Sequence, residues 1–573
     1  MDYPAPPLPE AFLFFGGVLF RLRHGQIYET ARHFPAERAG ELIIFESMRK
    51  LLLTSVLLAL ASAGVYAQGR REAGPDQAPK DPVVEAIQKE EHDNSQLQLL
   101  AHELFDSIGP RLVGTPQMEQ ARDWALAKYA GWGIHAEAQN WGVWRGWERG
   151  VSHIDMVSPR VRTLEATQLA WCPGMANKTI TSSLILLPDL PDSASYAAWM
   201  PSVKGKFVMV SMLQPTGRPD DNWEQFGTPA SFQKMKDERK EITDNWNDRI
   251  KKAGYTTRTL PVALEKAGAA GIVSSYWSAG FGVDKIFGAY TKKIPSIDVM
   301  QEDYGMLYRL VGSGADPKIS VHAESRERGP VPTFNVVGGI RGTEKPDEYV
   351  MLSAHFDSWD GGSGATDNGT GTLMMMEAMR ILQKVYPHPK RTILVGHWGS
   401  EEEGLNGSRA FVEDHPDTVS KLQALFNQDN GTGRVVSMSG QGYLNAYDYL
   451  SRWLSKAPAG IRDTIKTTFP GTPGGGGSDF ASFDAVGAPG FSLGALNWSY
   501  FNYTWHTNRD TYDKIVFDDL RNNVVLVAVL AYMASEDPNR ASTEKAVMPI
   551  NPRTGEQTKW PVQVKAIRRG GLD

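Results

Sequence analysis

The sequence predicts an α/β fold, a three-layer sandwich built around a mostly parallel mixed sheet. Short apolar runs in its second half indicate buried strands, namely YVMLSA (349–354), TILVGHWG (392–399) and ALFNQ (424–428). Two longer apolar stretches with helical spacing, 371–386 and 520–534, lie between and after these runs. Strands that alternate with helices are typical of a sheet covered by helices on both faces.

The chain is long enough for more than one domain, since 573 residues exceed what one hydrophobic core normally holds. The sequence pattern of residues 155–325 differs from that of the flanking segments and predicts an inserted β-rich domain with helices of its own. A charged helical stretch at 232–252 interrupts this insertion, and we interpret its charges as a solvated helix face rather than a substrate lid. The predicted divisions are an upstream extension (1–47), a signal peptide (48–67), a linker (68–94), the main domain in two parts (95–154 and 326–537), the insertion (155–325) and a C-terminal tail (538–573).

The run MRKLLLTSVLLALASAGVYAQ, which starts at Met48, has the layout of a secretory signal peptide. Arg49 and Lys50 form a basic segment, an apolar segment follows, and small residues then mark a cleavage site. The apolar segment is shorter than the roughly 20 residues of a membrane span. We therefore expect translation to start at Met48 and cleavage to leave Gln68 as the mature N-terminus. The protein would then be secreted or periplasmic, without a stable membrane anchor; the alternative is a genuine N-terminal anchor that includes FLFFGGVLF (12–20).

The composition indicates a globular protein and gives no reason to expect a nucleic-acid partner. Hydrophobic residues make up 41% of the chain, which argues against wholesale disorder. The net charge of −6 lacks the basic excess that phosphate backbones attract. Cys172 is the single cysteine, so an intramolecular disulfide is excluded.

Side chains that commonly bind metals follow each predicted strand. In open α/β sheets, ligands bind beyond the carboxyl ends of the strands, so one edge of the sheet could gather them all. Imidazoles and carboxylates without a thiolate suit Zn²⁺, and Mn²⁺ or Co²⁺ less well. The candidate residues are His355 and Asp367 after the first strand, Glu401, Glu402 and Glu403 after the second, Asp429 after the third, and His506 ahead of the last helix.

The motifs around these residues resemble, in order, those of the co-catalytic zinc exopeptidases, a family that includes aminopeptidases and glutamate carboxypeptidase. The resemblance covers about residues 95 to 535, and the insertion resembles the protease-associated domain found in that family. It implies the zinc-exopeptidase version of the predicted fold. The motifs are HFDSWDGGSGATDNGTG (355–371), WGSEEEGLNGS (398–408), NQDNGTG (427–433), GGGGSDFASF (474–483) and WHTNRDTYD (505–513).

The resemblance implies a site with two zinc ions per chain. Alignment of GLNGS with the family pattern GL-x-GS sets the register of the three glutamates and leaves Glu403 facing elsewhere. Asp357 would hold the second nitrogen of the first histidine, as metal-bound imidazoles commonly require. The implied roles are Asp367 as the bridging carboxylate, His355 and Asp429 as ligands of one zinc, Glu402 and His506 as ligands of the other, and Glu401 as the general base.

Other polar residues near the motifs receive plainer interpretations. Asp360 and Asp479 are expected to be solvated or to cap loops. His397 lies within a predicted strand and is interpreted as a core histidine. Arg434 and Arg509 could bind a substrate carboxylate or form surface ion pairs.

The function implied is an exported dinuclear zinc exopeptidase of carboxypeptidase or dipeptidase type, with dipeptides or short peptides as substrates. An aminopeptidase of the same family is the nearest alternative. A non-catalytic binding protein on the same fold is disfavoured, because the whole ligand set is present. A transferase similar to glutaminyl cyclase would use one working zinc, so metal stoichiometry separates it from a hydrolase. A homodimer is left open.

Overall fold

The computed structural model describes residues 11–15, 18–23, 26–30, 81–176, 178–551 and 553–572. They belong to two compact units, one within residues 1–79 and the other within 80–573. The first unit contains an antiparallel sheet of three strands, β1 (Ala11–Phe15), β2 (Val18–Arg23) and β3 (Gln26–Thr30). The predicted signal peptide, residues 48–67, lies outside the described residues.

The described strands of the second unit form one mixed sheet. Its order is β16-β15-β17-β14-β12-β13-β11-β7-β8-β9-β10-β6, with β4 paired along β11. The strands are β4 (His135–Ser158), β5 (Arg162–Thr163), β6 (Ala166–Gln168), β7 (Thr179–Leu186), β8 (Phe207–Met209), β9 (Gly271–Ser274), β10 (Ser296–Val299), β11 (Lys318–Ile340), β12 (Lys345–His355), β13 (Arg391–Trp398), β14 (Leu422–Asn427), β15 (Val435–Ser439), β16 (Lys466–Thr468), β17 (Gly490–Ala495) and β18 (Arg569–Gly570).

Helices of the second unit cover the sheet and contain more residues of the insertion than its strands do. They are α1 (Pro82–Asn94), α2 (Leu97–Ala101), which continues as a π-helix (His102–Ile108), α3 (Pro116–Gly131), α4 (Ser193–Trp199), α5 (Asp220–Phe226), α6 (Pro229–Lys252), α7 (Thr259–Lys266), α8 (Gln301–Gly312), α9 (Thr370–Val385), α10 (Asn406–Asp414), α11 (Pro416–Ser420), α12 (Ala446–Leu454), α13 (Ala459–Arg462), α14 (Phe480–Asp484), α15 (Tyr500–Tyr503) and α16 (Phe517–Glu536).

Alternate residues of the central strand β12 pack against opposite helical layers. Val350 and Leu352 belong to the core that contains α9 and α16, whereas Met351 packs with Phe411 of α10 and Phe483 of α14. Side chains of a strand alternate between the two faces of its sheet, so an apolar run such as YVMLSA must be covered on both sides. The predicted three-layer α/β fold is confirmed, and β12, β13, β14, α9 and α16 lie where the sequence places them.

The second part of the predicted linker is wrong, because residues 82–94 form helix α1. Asp81 caps this helix by accepting hydrogen bonds from two backbone amides, and Pro82 occupies its first turn. Val84 and Ile87 are buried in the main core. The many charged residues of this segment concealed a narrow apolar stripe, which is enough to dock a helix.

Two long antiparallel strands, β4 and β11, lead into and out of the insertion. Between them, β7, β8, β9 and β10 pair in parallel, and helices contain more residues than strands do. The lysines, aspartates and glutamates of α6 are exposed, as predicted for a solvated helix face. The assignment of this segment to a protease-associated domain stays a prediction.

The C-terminal segment, 538–573, packs on the second unit. Ala541, Ala546 and Met548 are buried, and β18 pairs with β4 at Val143 and Trp144. Among the described residues, no helix combines the length and the apolar character that crossing a membrane would require.

Candidate metal centre

The carboxyl ends of four neighbouring parallel strands lie at the same edge of the sheet. β12 pairs in parallel with β13 and β14, and β14 pairs in parallel with β17. The predicted ligands follow these ends, so the fold brings residues from distant motifs to a single edge. His355 ends β12, the glutamate run follows β13, Asp429 follows β14, and His506 follows β17.

The carboxylate of Asp367 lies between the two predicted ligand histidines. Its Oδ1 is 3.5 Å from Nε2 of His355, and its Oδ2 is 3.4 Å from Nε2 of His506. Each oxygen therefore faces a different imidazole. A carboxylate in this position can bridge two metal ions.

The remaining candidates complete two groups around this carboxylate. Asp429 Oδ1 lies 3.3 Å from His355 Nε2, and Glu402 Oε2 lies 2.9 Å from His506 Nε2. Glu401 Oε2 is farther, 4.0 Å from His355 Nε2. The glutamate that the resemblance names as a ligand is thus in close contact with a ligand histidine, and its predicted base neighbour is less close.

The negative charges of this cluster are costly without compensation. Burial raises the pKa of Glu401 and of Glu402, and neighbouring carboxylates raise both further. Burial opposes the charged form of His355, but the carboxylates of Asp429 and Glu401 outweigh it and raise its pKa. Burial lowers the pKa of His506 to about 4, although Asp367 opposes that shift. Positive charge from bound cations would relieve this repulsion.

Several oxygen and nitrogen atoms of the cluster that could bind a metal are buried without a hydrogen-bond partner among the described residues. They are Asp367 Oδ2, Glu402 Oε1 and His506 Nδ1. Buried polar atoms without partners are rare in folded proteins and call for a ligand or water. Imidazole and carboxylate donors fit Zn²⁺ in a catalytic site.

Asp357 lies against the second nitrogen of His355 through its backbone. The Nδ1 of His355 is 3.0 Å from the backbone carbonyl of Asp357, whereas the Asp357 carboxylate is 3.7 Å away. That carboxylate instead accepts from the backbone amides of Glu401 (3.1 Å) and Glu402 (3.2 Å). The aspartate thus supports the first histidine through its backbone, and its side chain positions the glutamate run, a contact that the sequence did not indicate.

Glu403 does not face away from the site into solvent. Both of its carboxylate oxygens are buried without a partner in the described chain. Burial raises its pKa, and the nearby carboxylates of Asp357 and Glu402 add to the shift. The carboxylate of Glu403 is therefore enclosed by the protein rather than solvated.

Arg111, from the IGPRL segment, supports the loop that carries Asp367. Its buried guanidinium donates to the carbonyls of Phe356 (2.7 Å), Ser363 (2.9 Å) and Gly364 (2.8 Å). Burial lowers its pKa to about 10, and the acidic groups around it oppose that shift. One side chain thereby fixes both ends of a glycine-rich loop, and nothing in the local sequence of IGPRL announces this.

Asp510 and Tyr500 also support Asp367 and were not singled out from the sequence. The Asp510 carboxylate accepts from the backbone amides of Thr366 (2.8 Å) and Asp367 (3.0 Å). The Tyr500 hydroxyl lies beside the Asp367 carboxylate and, together with His355, lowers its pKa against the effect of burial. The motif WHTNRDTYD contains Asp510, so its acid was a detectable signal.

A loop of the insertion packs directly on His506. The amide of Ile286 donates to the His506 carbonyl at 2.7 Å. The ring of Phe287 meets the imidazole edge-on, with centroids 5.2 Å apart. Asn508 and Asp284 exchange two further hydrogen bonds, 2.9 and 3.0 Å long. The insertion is therefore part of the wall of the metal centre.

The other singled-out residues have identifiable partners. Asp360 receives two hydrogen bonds from Arg149, at 2.7 and 2.8 Å, and so joins the metal loop to β4. His397 is fully buried and lies 2.7 Å from the Tyr129 hydroxyl, as expected for a core histidine. Asp479 is buried rather than solvated, and burial raises its pKa to about 7.

Both arginines near the motifs are paired. Arg434 contacts Asp519 at 3.2 Å. Arg509 donates to the Gly282 carbonyl at 2.7 Å and contacts Glu165 at 3.4 Å. Neither is free to meet a substrate carboxylate in this arrangement.

A cleft of about 530 Å³ opens onto the metal centre. Its lining combines the candidate residues Asp367, Glu401, Glu402, Asp429 and His506 with the aromatic rings of Tyr500, Phe501 and Trp505 and with Gly404, Leu405, Arg409, Gly476 and Gly477.

Comparison with known proteins agrees with these observations. Residues 335–531 match the model of peptidase family M28. Carboxypeptidase Q of Mus musculus is 25% identical over 442 residues, which cover 76% of this chain and 84% of that protein.

Two solved structures share the fold. The peptidase M28 precursor of Shewanella amazonensis SB2B has a TM-score of 0.60 at 24% identity, covering 82% of this chain and 98% of that one. The zinc aminopeptidase BSAP of Bacillus subtilis has a TM-score of 0.50 at 18% identity, covering 78% and 97%.

Proposed function

We propose that this zinc metallopeptidase, whose residues 335–531 match the model of peptidase family M28, is an exported dinuclear exopeptidase acting on dipeptides and other short peptides. The observation that carries the proposal is the position of Asp367. Its two oxygens face two different histidines, each of which has a second carboxylate beside it. Such a pair of donor sets around one shared carboxylate favours two ions over one.

The residues divide the work of hydrolysis. Two zinc ions, when bound, lower the pKa of a shared water and polarise the scissile carbonyl. Glu401 would take the proton of the attacking water and return it to the leaving amine. Asp357 holds the backbone of Glu401 through its amide, which fixes the position from which the carboxylate reaches that proton. The Tyr500 hydroxyl, already next to Asp367, lines the cleft where a developing oxyanion would need a donor.

Substitution of the glutamate run tests the proposed roles. Glu401→Gln keeps the shape but removes the proton acceptor, so zinc should stay while kcat falls by roughly 10²–10⁴-fold. Glu402→Gln weakens one donor set, so zinc content and kcat should fall together. Glu403→Gln, at a glutamate that belongs to neither donor set, should keep both zinc ions and most of the turnover. The measurements are zinc per chain and kcat for the wild type and all three variants under identical conditions.

Two outcomes would contradict this assignment. If Glu403→Gln loses zinc while Glu402→Gln keeps it, the register of the run is shifted by one residue. A wild-type stoichiometry near one zinc per chain would favour a single-zinc transferase instead. Asp367→Ala serves as the reference, since it should lose zinc and activity together.

Export rests on the sequence from Met48 to Gln68 and has its own test. N-terminal sequencing of the protein recovered from the medium or periplasm should begin near Gln68. A mature protein that retains residues 1–47 would refute both the signal peptide and the start at Met48.

A further inference from the structure

Arg409 is a cation of the cleft with no visible partner. It lies on α10, lines the same cleft as Asp367, Glu401 and His506, and is partly exposed. Across the chain that the structure describes, its guanidinium pairs with no carboxylate, donates to no carbonyl and stacks on no aromatic ring. An arginine fork is suited to a planar, bidentate anion such as a carboxylate.

The other cations near the metal centre are already engaged. Lys285 places its Nζ 3.9 Å from the centroid of the Trp505 ring, a cation–π contact. Arg434 and Arg509 have the ion pairs described above. Arg111 is buried under backbone carbonyls. Arg409 therefore differs from these other cations, because its guanidinium is available to a molecule that enters the cleft.

Arg409 also lies on the side of the proposed general base. The amides of Gly404 and Leu405 donate to the carbonyl of Glu401 at 2.7 and 2.8 Å, and the amide of Arg409 donates to Leu405 at 3.0 Å. A Cβ placed on Gly404 would lie 3.9 Å from Nη1 of Arg409. The guanidinium thus lies beside the short loop that carries the base.

The chemistry of peptide hydrolysis determines which part of the substrate lies on the Glu401 side of the cleft. A base that returns a proton to the leaving amine must lie within hydrogen-bond reach of that nitrogen. The residue that leaves therefore sits on the Glu401 side of the cleft. In a carboxypeptidase or dipeptidase, this leaving residue is the C-terminal one and carries a free α-carboxylate.

We propose that Arg409 binds the α-carboxylate of the C-terminal residue of the substrate and thereby makes the enzyme a carboxypeptidase or dipeptidase. This inference rests on the proposed function, because it uses Glu401 as the base. It assigns the direction of attack, which the metal cluster alone leaves open. Arg409 is a specificity residue and takes no part in bond breaking.

A pair of N-blocked dipeptides tests the inference, one with a free C-terminal carboxylate and the other with the same terminus amidated. The wild type should prefer the free acid. In Arg409→Gln, the ratio of kcat/KM for free acid over amide should fall about 10- to 100-fold, mainly through KM, since a charge-assisted contact is lost. Arg409→Lys should restore part of the ratio. Arg434→Gln, which removes a paired arginine near another motif, is the matched control and should leave the ratio unchanged.

Several results would overturn the inference while the proposed function stands. One is an unchanged ratio in Arg409→Gln with zinc content intact. Another is a collapse of the ratio in Lys285→Met instead. A loss limited to peptides ending in glutamate would show that Arg409 contacts an acidic side chain. Cleavage only of peptides with a free amino terminus would make the enzyme an aminopeptidase.

The proposed function fails in a different way. A wild-type enzyme with both zinc ions that hydrolyses none of these peptides, blocked or free, would refute it before any Arg409 variant is measured. Zinc content and thermal unfolding of each variant show that a lost preference is not a lost fold.

Discussion

The two sides of the metal centre differ in how far along the chain their residues lie from the strands that precede them. On the first side, the predicted ligands that follow β12, β13 and β14 lie close to the ends of their strands, and hydrogen bonds from within the main domain support the loops that carry them. On the second side, the predicted ligand His506 lies well beyond the end of β17 and is held by residues 284–287 of the insertion. The insertion also reaches the first side, where Phe287 packs against Trp359, but on the second side it contacts the predicted ligand itself.

The backbone of His506 shows why the second side needs this support. Its φ is +59°, a left-handed conformation that non-glycine residues rarely adopt. The hydrogen bond from Ile286 and the ring of Phe287 hold this residue from the insertion side. Strained backbone at a functional site persists when its surroundings hold it there. The insertion therefore supplies part of the metal centre as well as a boundary to the cleft.

The largest effect on the first side is expected from substitution of Arg111. Arg111→Met should lower the free energy of unfolding by about 2–5 kcal/mol, because buried carbonyls that the guanidinium now serves would lose their donor. Zinc binding should weaken as well, since those carbonyls belong to the loop of Asp367. Denaturant unfolding of the metal-free and zinc-loaded protein measures both effects.

The matched control is Arg326, which forms an exposed ion pair with Glu148. Arg326→Met should change the free energy of unfolding by about 0–1 kcal/mol, because exposed pairs contribute little. Equal losses in the two variants would mean that Arg111 does no more than a surface arginine.

The difference between the two sides also explains what the sequence could predict. His355, Asp367, Glu401, Glu402 and Asp429 were found because each follows an apolar strand on a polar, glycine-rich loop, and both signals are local. The fold class followed from the same alternation. Their gathering at one sheet edge then needs only the rule that parallel strands end together.

Contacts between distant segments could not be predicted in this way. Arg111 and Phe356 are 245 positions apart, and nothing near Arg111 marks it as a loop support. The docking of Ile286 on His506 joins an insertion to a motif more than two hundred positions later. The contact of the Asp357 carboxylate with the amide of Glu401 escaped prediction for a related reason, since it depends on how the two loops pack.

A smaller effect, on the second side, is expected from substitution of Phe287. Phe287→Ala removes the edge contact to His506 and should weaken zinc binding by about 3- to 10-fold, the range expected for one aromatic pair. The loss should concern one of the two zinc ions, because the donor set around His355 does not touch this ring. Competition with a chelator, read as zinc remaining per chain, measures it.

Phe281 is the control within the same loop. Its side chain is 45% exposed, so Phe281→Ala should leave both zinc ions in place. If Phe287→Ala releases both ions equally, or neither, the two sides are not independent and the insertion has no selective hold on His506.

The smallest effect concerns His397, in the core beneath the first side. Burial lowers its pKa to about 3, whereas an unfolded histidine titrates near 6.5. The unfolded chain therefore takes up a proton that the folded protein refuses, so this residue's contribution to stability is complete above pH 6.5 and shrinks as the pH falls towards 3. Between pH 7.5 and pH 6, it should cost about 0.8 kcal/mol of unfolding free energy. His397→Gln, although less stable overall, should lose about that much less than the wild type over the same range. Parallel pH profiles of the two proteins would mean that burial does not lower the pKa of His397 in the folded protein.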